Sequence, residues 1–174
     1  MAAARASLGF MLRHPAHWIA LGFGSGLAPF APGTFGTLWA WAVFVLLNRW
    51  LDAAQWALVL GAGLALGLWA CTLTARHLDV ADSAPVVWDE VIAFWIILWF
   101  LLPAGFWLQL LAFVVFRLLD ALKPGPVGWA DRRFKRAGDE PIGLRHGFGI
   151  LFDDLVAAFG TLLLLALALR LAAW

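Results

Sequence analysis

The sequence predicts an all-α fold: a polytopic membrane helical bundle of about five segments, forming one integral-membrane domain over residues 1–174. Two observations carry this prediction. First, 64% of the residues are hydrophobic and only 13% charged, with a mean hydropathy of +0.88. An average soluble domain is roughly 45–50% apolar and about 25% charged, so a soluble globule would lack the polar side chains to cover its surface. Second, residues 34–48, 53–75, 91–116 and 155–169 contain no Asp, Glu, Lys or Arg. The 12 Trp and 14 Phe, with no Tyr, suit a chain rich in water–lipid boundary, where the indole ring is favoured. A net charge of +1 implies no strong field, so nucleic acid is not an expected partner. The one cysteine, Cys71, excludes an internal disulfide and a multi-cysteine zinc site.

Taken in order, Arg5 and Arg13 precede His14-Pro15 and a Gly-rich stretch rather than a compact apolar core with a small-residue cleavage site, so no cleavable signal peptide is read here. Residues 17–27 read as an interfacial segment. Residues 34–48 form a short span whose polar flanks extend into the headgroup layer. Residues 53–75 fit a span directly, since crossing about 30 Å of hydrocarbon takes about 20 residues. Residues 91–116 would run about 39 Å as one helix, kinked at Pro103. The alternative is a hairpin turning at Pro103, Ala104 and Gly105, because Pro ends a helix and Gly lets the backbone reverse. Residues 124–146 read as the one sizeable polar loop, and residues 155–174, nearly all Leu and Ala, as a terminal span.

Charge placement separates the two topologies. With the hairpin, Arg5, Arg13, Arg76, Arg117, Lys123, Arg132, Arg133, Lys135, Arg136 and Arg145 share one side, and only Arg49 and Arg170 lie opposite. With one long helix the split is eight against four. The positive-inside rule favours the more asymmetric solution and puts the crowded side in the cytoplasm.

The hairpin topology also gathers the acids on that side. Asp89 and Glu90 begin the third segment, Asp120 ends the fourth, and Asp153 and Asp154 begin the fifth. Carboxylates at the ends of three neighbouring helices repel one another unless cations compensate, and such oxygen-rich clusters suit Mg²⁺. Helix capping is the plainer explanation for Asp89 and Asp153. It needs one carboxylate per helix, whereas these come in adjacent pairs, and Asp120 stands at the wrong helix end for the dipole.

Arg117, Asp120 and Lys123 are spaced i, i+3, i+6 and would share one stripe if the helix continued to Lys123. They read either as a local ion-pair ladder or as a metal ligand between two phosphate-binding cations. Residues 22–37, rich in Gly and Pro, precede the first span. Their backbone N–H groups could converge on an anion, or their small size could serve close helix packing, and Thr34 and Thr37 could cap the helix or contact phosphate. His146 lies near Asp153. Arg132, Arg133, Lys135 and Arg136 form a basic cluster able to attract anionic headgroups or simply to enforce orientation.

Four motifs in order resemble the phosphatidylglycerophosphatase A family of bacterial membrane lipid phosphatases. They are the Gly-rich stretch at 22–37, Val87-Trp88-Asp89-Glu90, the R-x-x-D-x-x-K-P run from Arg117 through Asp120 and Lys123 to Pro124, and the G-x-G-I-x-x-D-D run from Gly147 to Asp154. His146 and Thr37 stand where the family often has Gly and Ser, and the loop over 132–145 is longer than in short members. The resemblance implies a multi-pass enzyme of the bacterial inner membrane. It would hydrolyse the phospholipid phosphatidylglycerophosphate to phosphatidylglycerol and phosphate with Mg²⁺, at an active site facing the cytoplasm. It assigns metal binding and catalysis to Asp89, Glu90, Asp120, Asp153 and Asp154, and phosphate binding to Gly33, Thr34, Arg117 and Lys123. No Cys-x₅-Arg loop, D-x-D-x-T motif or D-G-x-x-A-R pattern is present, so direct attack by water is expected. The rival reading is a small ion-coupled transporter, which should carry acids near the membrane midplane rather than at helix ends; a noncatalytic assembly subunit would leave the acids unexplained.

Overall fold

The computed structural model describes residues 6–81, 83–134 and 140–172 and contains no strand among them. Two short helices, α1 (Leu8–Met11) and α2 (Pro15–Ala20), lead into a 3₁₀ turn (Gly22–Leu27). Six further helices follow: α3 (Pro32–Leu47), α4 (Ala53–Leu78), α5 (Trp88–Phe100), α6 (Phe106–Leu122), α7 (Pro126–Arg133) and α8 (Leu144–Ala172). Local chemistry sets several of the starts. Pro32 and Pro126 occupy first-turn positions of α3 and α7, where the missing N–H costs nothing. Asp52 and Gln55 form a reciprocal capping box at the head of α4, with bonds of 2.8 and 2.9 Å.

Helix α5 is the centre of the bundle and packs against α3, α4, α6 and α8. It is apolar on every side from Val91 to Leu98, and all of those residues but Ile96 are buried, as expected of a helix with no polar stripe. Indole groups fasten it to its neighbours. Trp88 Nε1 donates to the Gly63 carbonyl at 2.9 Å, and Trp95 Nε1 to the Ala40 carbonyl at 2.8 Å. Small residues permit this approach: a Cβ at Gly67 would come within 2.6 Å of the Trp88 ring.

The charge-free stretch over 91–116 is broken into a hairpin. Helix α5 stops at Phe100 and α6 begins at Phe106, and the Phe94 ring lies 5.9 Å from those of both Phe113 and Phe116. The two helices are therefore antiparallel neighbours. The last helix differs from expectation. It starts at Leu144 and runs unbroken through Gly147 and Gly149, so Asp153 and Asp154 lie well inside a helix rather than at its cap. Glycine inside a helix costs up to about 1 kcal/mol, but here each marks a close approach. Gly147 abuts Thr72 and the Leu68 carbonyl of α4, and Gly149 abuts the Phe134 side chain. The expected polar loop over 124–146 likewise contains a helix, α7.

Among the described residues two helices, α4 and α8, are long and apolar enough to cross a membrane; α3 is apolar but has 16 residues. Large apolar side chains such as Leu58, Trp107 and Phe159 point outward, at 69–78% exposure, forming apolar surface that a soluble monomer rarely shows.

The N-terminal helices join α4 through His17. This buried side chain stacks on Phe10, has Nδ1 2.9 Å from Thr74 Oγ1, and has Nε2 3.1 Å from His77 Nδ1. Burial, reinforced by His77 and His14, pushes its pKa down from 6.5 to about 4. Between those values the unfolded chain binds the proton and the folded chain does not, so stability is fully present above the unfolded value and is lost as pH falls toward the folded one. Lowering the pH from about 7.5 to about 5 should therefore lower the melting temperature in detergent, and His17→Gln should flatten that dependence. Packing gives a second expectation. Gly147→Val should cost about 1–3 kcal/mol through overpacking and lower the melting temperature. Gly61→Val should not cost this much, because a Cβ at Gly61 meets nothing within 4 Å.

Candidate active site

The site is built where α5 begins. Val87 is the N-cap of α5 and supplies no side-chain cap, so Asp89 and Glu90 occupy the first turn, where the helix dipole favours negative charge. The Gly-rich segment grips the chain just before them. Val87 N–H donates to the Ala20 carbonyl at 2.9 Å; Gly22 and Gly36 face the Val87 side chain, and Gly26 lies on the Pro85 carbonyl. Gly33 goes further, because a Cβ there would collide with the Glu90 carboxylate and come within 2.9 Å of Arg117 Nη2. Of the two expectations for this segment, close packing is the one that this geometry displays.

The five acids named from the sequence divide into two sets. Carboxylate oxygens of Asp89, Glu90 and Asp154 lie within 4.8 Å of one another. The other two carboxylates are each held by a cation. Arg117 Nη1 donates to Asp120 at 2.6 Å and stands 3.6 Å from Glu90. Lys123 Nζ donates to Asp153 at 2.6 Å and to Asp131 at 2.5 Å. The expected single stripe of Arg117, Asp120 and Lys123 is thus split. Helix α6 ends at Leu122, and Lys123, in the left-handed region at φ 46°, serves α7 and α8 instead. Burial alone would lower the Lys123 pKa, but bonds to Asp131 and Asp153 outweigh it and hold the ammonium above its ordinary value.

In the three-carboxylate group, Asp89 Oδ1, Glu90 Oε2 and Asp154 Oδ2 are buried without a hydrogen-bond partner. Buried polar atoms are almost always paired, and anionic oxygens this close repel strongly in a low-dielectric setting. One orphaned oxygen from each of three converging carboxylates is a hard donor set of the kind that holds Mg²⁺. These residues therefore fit a divalent cation.

A cavity of about 410 Å³ opens beside them, lined by all five of these acids together with Asp131, Lys123, His146, Ser83 and Phe134. Gly33, Thr34 and Arg117 are outside this lining: Gly33 and Arg117 back the Glu90 carboxylate, and Thr34 N–H already donates to the Ala31 carbonyl at 2.9 Å. His146 is buried in the first turn of α8 with both ring nitrogens engaged. Nδ1 accepts from Gly143 N–H at 3.1 Å, and Nε2 lies 3.1 Å from Glu140. Arg132 and Arg133 are exposed at the end of α7; Lys135 and Arg136 lie outside the described residues. Asp131 is the site residue that sequence reasoning missed. Its signal was faint: with Pro126 starting a helix, Asp131 falls next to the inward-facing Val127 and Ala130.

The chain is 40% identical to phosphatidylglycerophosphatase A of Escherichia coli over 147 residues, covering 84% of this chain and 78% of that protein. It is 36% identical to phosphatidylglycerophosphatase A of Haemophilus influenzae, covering 84% of each. A Bacteroides thetaiotaomicron protein, provisionally named a phosphatidylinositol-3-phosphatase, is 32% identical over 86% of this chain and 91% of its own length. No solved structure matches the chain. The sequence model for phosphatidylglycerophosphatase A matches residues 18–169, a span that contains every acid and cation of the cavity, and the chain belongs to that family.

Proposed function

We propose that this phosphatase hydrolyses phosphatidylglycerophosphate to phosphatidylglycerol and inorganic phosphate, with Mg²⁺, at the cytoplasmic face of the bacterial inner membrane. The observation that carries the reading is the convergence of three orphaned carboxylate oxygens, from Asp89, Glu90 and Asp154, on a cavity beside Lys123 at one end of an apolar bundle. Asp89, Glu90 and Asp154 would hold the metal, with Asp120 and Asp153 beside them. A bound Mg²⁺ would neutralise charge on the phosphate oxygens and lower the pKa of the attacking water.

The chain's own groups do the rest. Lys123 spends two of its three N–H bonds on Asp131 and Asp153 and keeps the third for a phosphate oxygen, where charge develops in the transition state. Arg117 holds Asp120 and screens Glu90 from behind, which lets three carboxylates coexist near the phosphate. Gly33 gives Arg117 room to reach Glu90. One of the cavity carboxylates serves as general base for the water.

The outward apolar surface and the family support a membrane setting. In the proposed topology α3, the α5–α6 hairpin, α4 and α8 make the five segments, and the acyl chains of the substrate stay in lipid while its phosphate enters the cavity. In this topology ten of the twelve basic residues share one side, and the positive-inside rule supports the cytoplasm for that side.

Four measurements test this. Purified protein in detergent should release phosphate from phosphatidylglycerophosphate only with Mg²⁺. Asp154→Asn should abolish release, and Asp120→Asn, by freeing Arg117, should lower kcat/KM about 10–100-fold; unchanged activity in both would remove this site from the reaction. Phosphatidylinositol 3-phosphate offered in parallel should be the poorer substrate. In a Cys71→Ala background, Gly105→Cys and Arg145→Cys should label from opposite sides of sealed vesicles, and labelling from one side would overturn the five-segment topology.

A further inference from the structure

We propose that Asp131 is a positioning residue that holds the Lys123 ammonium at the phosphate-binding edge of the cavity; this rests on reading the cavity as a phosphate site. Lys123 has left α6 at a left-handed C-cap, so no helical neighbour fixes its side chain. Two carboxylates from two other helices fix it instead, Asp131 from α7 and Asp153 from α8. Asp153 adjoins Asp154 in sequence, and Asp89, Glu90 and Asp120 line the same cavity. Asp131 lines the cavity too, but from α7, so the ammonium is held between carboxylates of two separate helices, and without Asp131 it would be held by Asp153 alone.

The backbone is arranged to keep it there. Asp131 is largely buried, its side chain 10% exposed, next to the inward-facing Val127, Gly128 and Ala130 of α7. Gly128 sits directly on the Lys123 carbonyl, where a Cβ would collide. Helix α7 therefore braces residue 123 twice, through its backbone at Gly128 and through its side chain at Asp131. An ammonium so held points its remaining N–H at a fixed place, which preorganises it for an oxyanion.

The test measures binding as well as turnover. Inorganic phosphate binding to the purified full chain in detergent with Mg²⁺, followed by calorimetry, should weaken about 10–100-fold in Asp131→Asn, as expected for losing a charge-assisted bond. Asp131→Glu should recover most of it, while melting temperature and Mn²⁺ affinity stay near wild type. In a Lys123→Met background Asp131→Asn should have no further effect, because a residue acting through another is silent once that other is gone. Wild-type phosphate affinity in Asp131→Asn would overturn the proposal, and so would an undiminished effect in the Lys123→Met background or no phosphate binding by the wild-type chain. If Asp131→Asn does not fold, Asp131→Glu and Lys123→Met still decide, since equal phosphate affinity in wild type and Lys123→Met removes the group that Asp131 is said to position. Phosphate binding without lipid hydrolysis would sink the proposed enzyme reaction and leave the role of Asp131 standing.

Discussion

The fold is organised around a repulsion. Asp89, Glu90 and Asp154 present oxygens within 4.8 Å of one another at the end of a bundle that is otherwise apolar. Carboxylates at that spacing in a low-dielectric interior oppose one another's ionisation, so every neighbouring feature either supplies the energy to hold them or limits the number left uncompensated. Burial of α5 on all sides supplies the energy. The indole bonds from Trp88 and Trp95 to carbonyls of α4 and α3 fix the rotation of α5 about its axis, and with it the direction in which Asp89 and Glu90 face. Arg117 and Lys123 limit the damage by taking Asp120 and Asp153 out of the uncompensated set.

The same constraint explains where the glycines fall. Gly22, Gly26 and Gly36 pack against the segment from Pro85 to Val87, and Gly33 against Glu90 and Arg117. A side chain at any of these places would push the Gly-rich segment away from the first turn of α5. Their shared role is to let backbone reach the carboxylates' supporting chain, which is a different service from cradling an anion. Gly147 does the equivalent for α8, setting it close enough to Thr72 for Asp154 to reach Asp89 and Glu90.

The broad architecture was legible because hydropathy and charge act locally. Absence of charge marked the apolar helices, and Pro103 with Gly105 marked the hairpin. The four motifs brought Asp89, Glu90, Asp120, Asp153 and Asp154 into view, since carboxylates among so few charged residues stand out, but Asp131 lies in none of them. What stayed hidden depended on contacts between distant segments. Gly147 and Gly149 look like a helix boundary until α4 and Phe134 are seen pressed against them, and so α8 seemed to begin at its acids rather than before them. Helix α7 hid in a polar stretch because only Val127, Gly128 and Ala130 face inward, too few for a periodic pattern. Which acid takes which cation was equally invisible: i, i+3 spacing joins Arg117 to Asp120, but nothing in the sequence says that Lys123 turns away to Asp131, eight residues on, and Asp153, thirty residues on.

Charge accounting at the cavity limits what can enter it. Six carboxylates, Asp89, Glu90, Asp120, Asp131, Asp153 and Asp154, line it, against Lys123 and, behind Glu90, Arg117. A phosphate monoester near neutral pH carries up to two negative charges, so as a bare anion it would be repelled from a cavity whose field is negative. On the proposed function, substrate binding and cation binding are therefore linked in one direction: the carboxylates must be compensated before the phosphate is attracted. The held ammonium of Lys123 cannot do this alone, because two of its N–H bonds are already committed. It acts on geometry, offering one aimed donor, while attraction comes from whatever neutralises the three orphaned oxygens. On the proposed function, a site of this design would discriminate against the anion when empty and accept it when loaded, and so would keep anionic headgroups at the membrane surface from occupying the cavity unproductively.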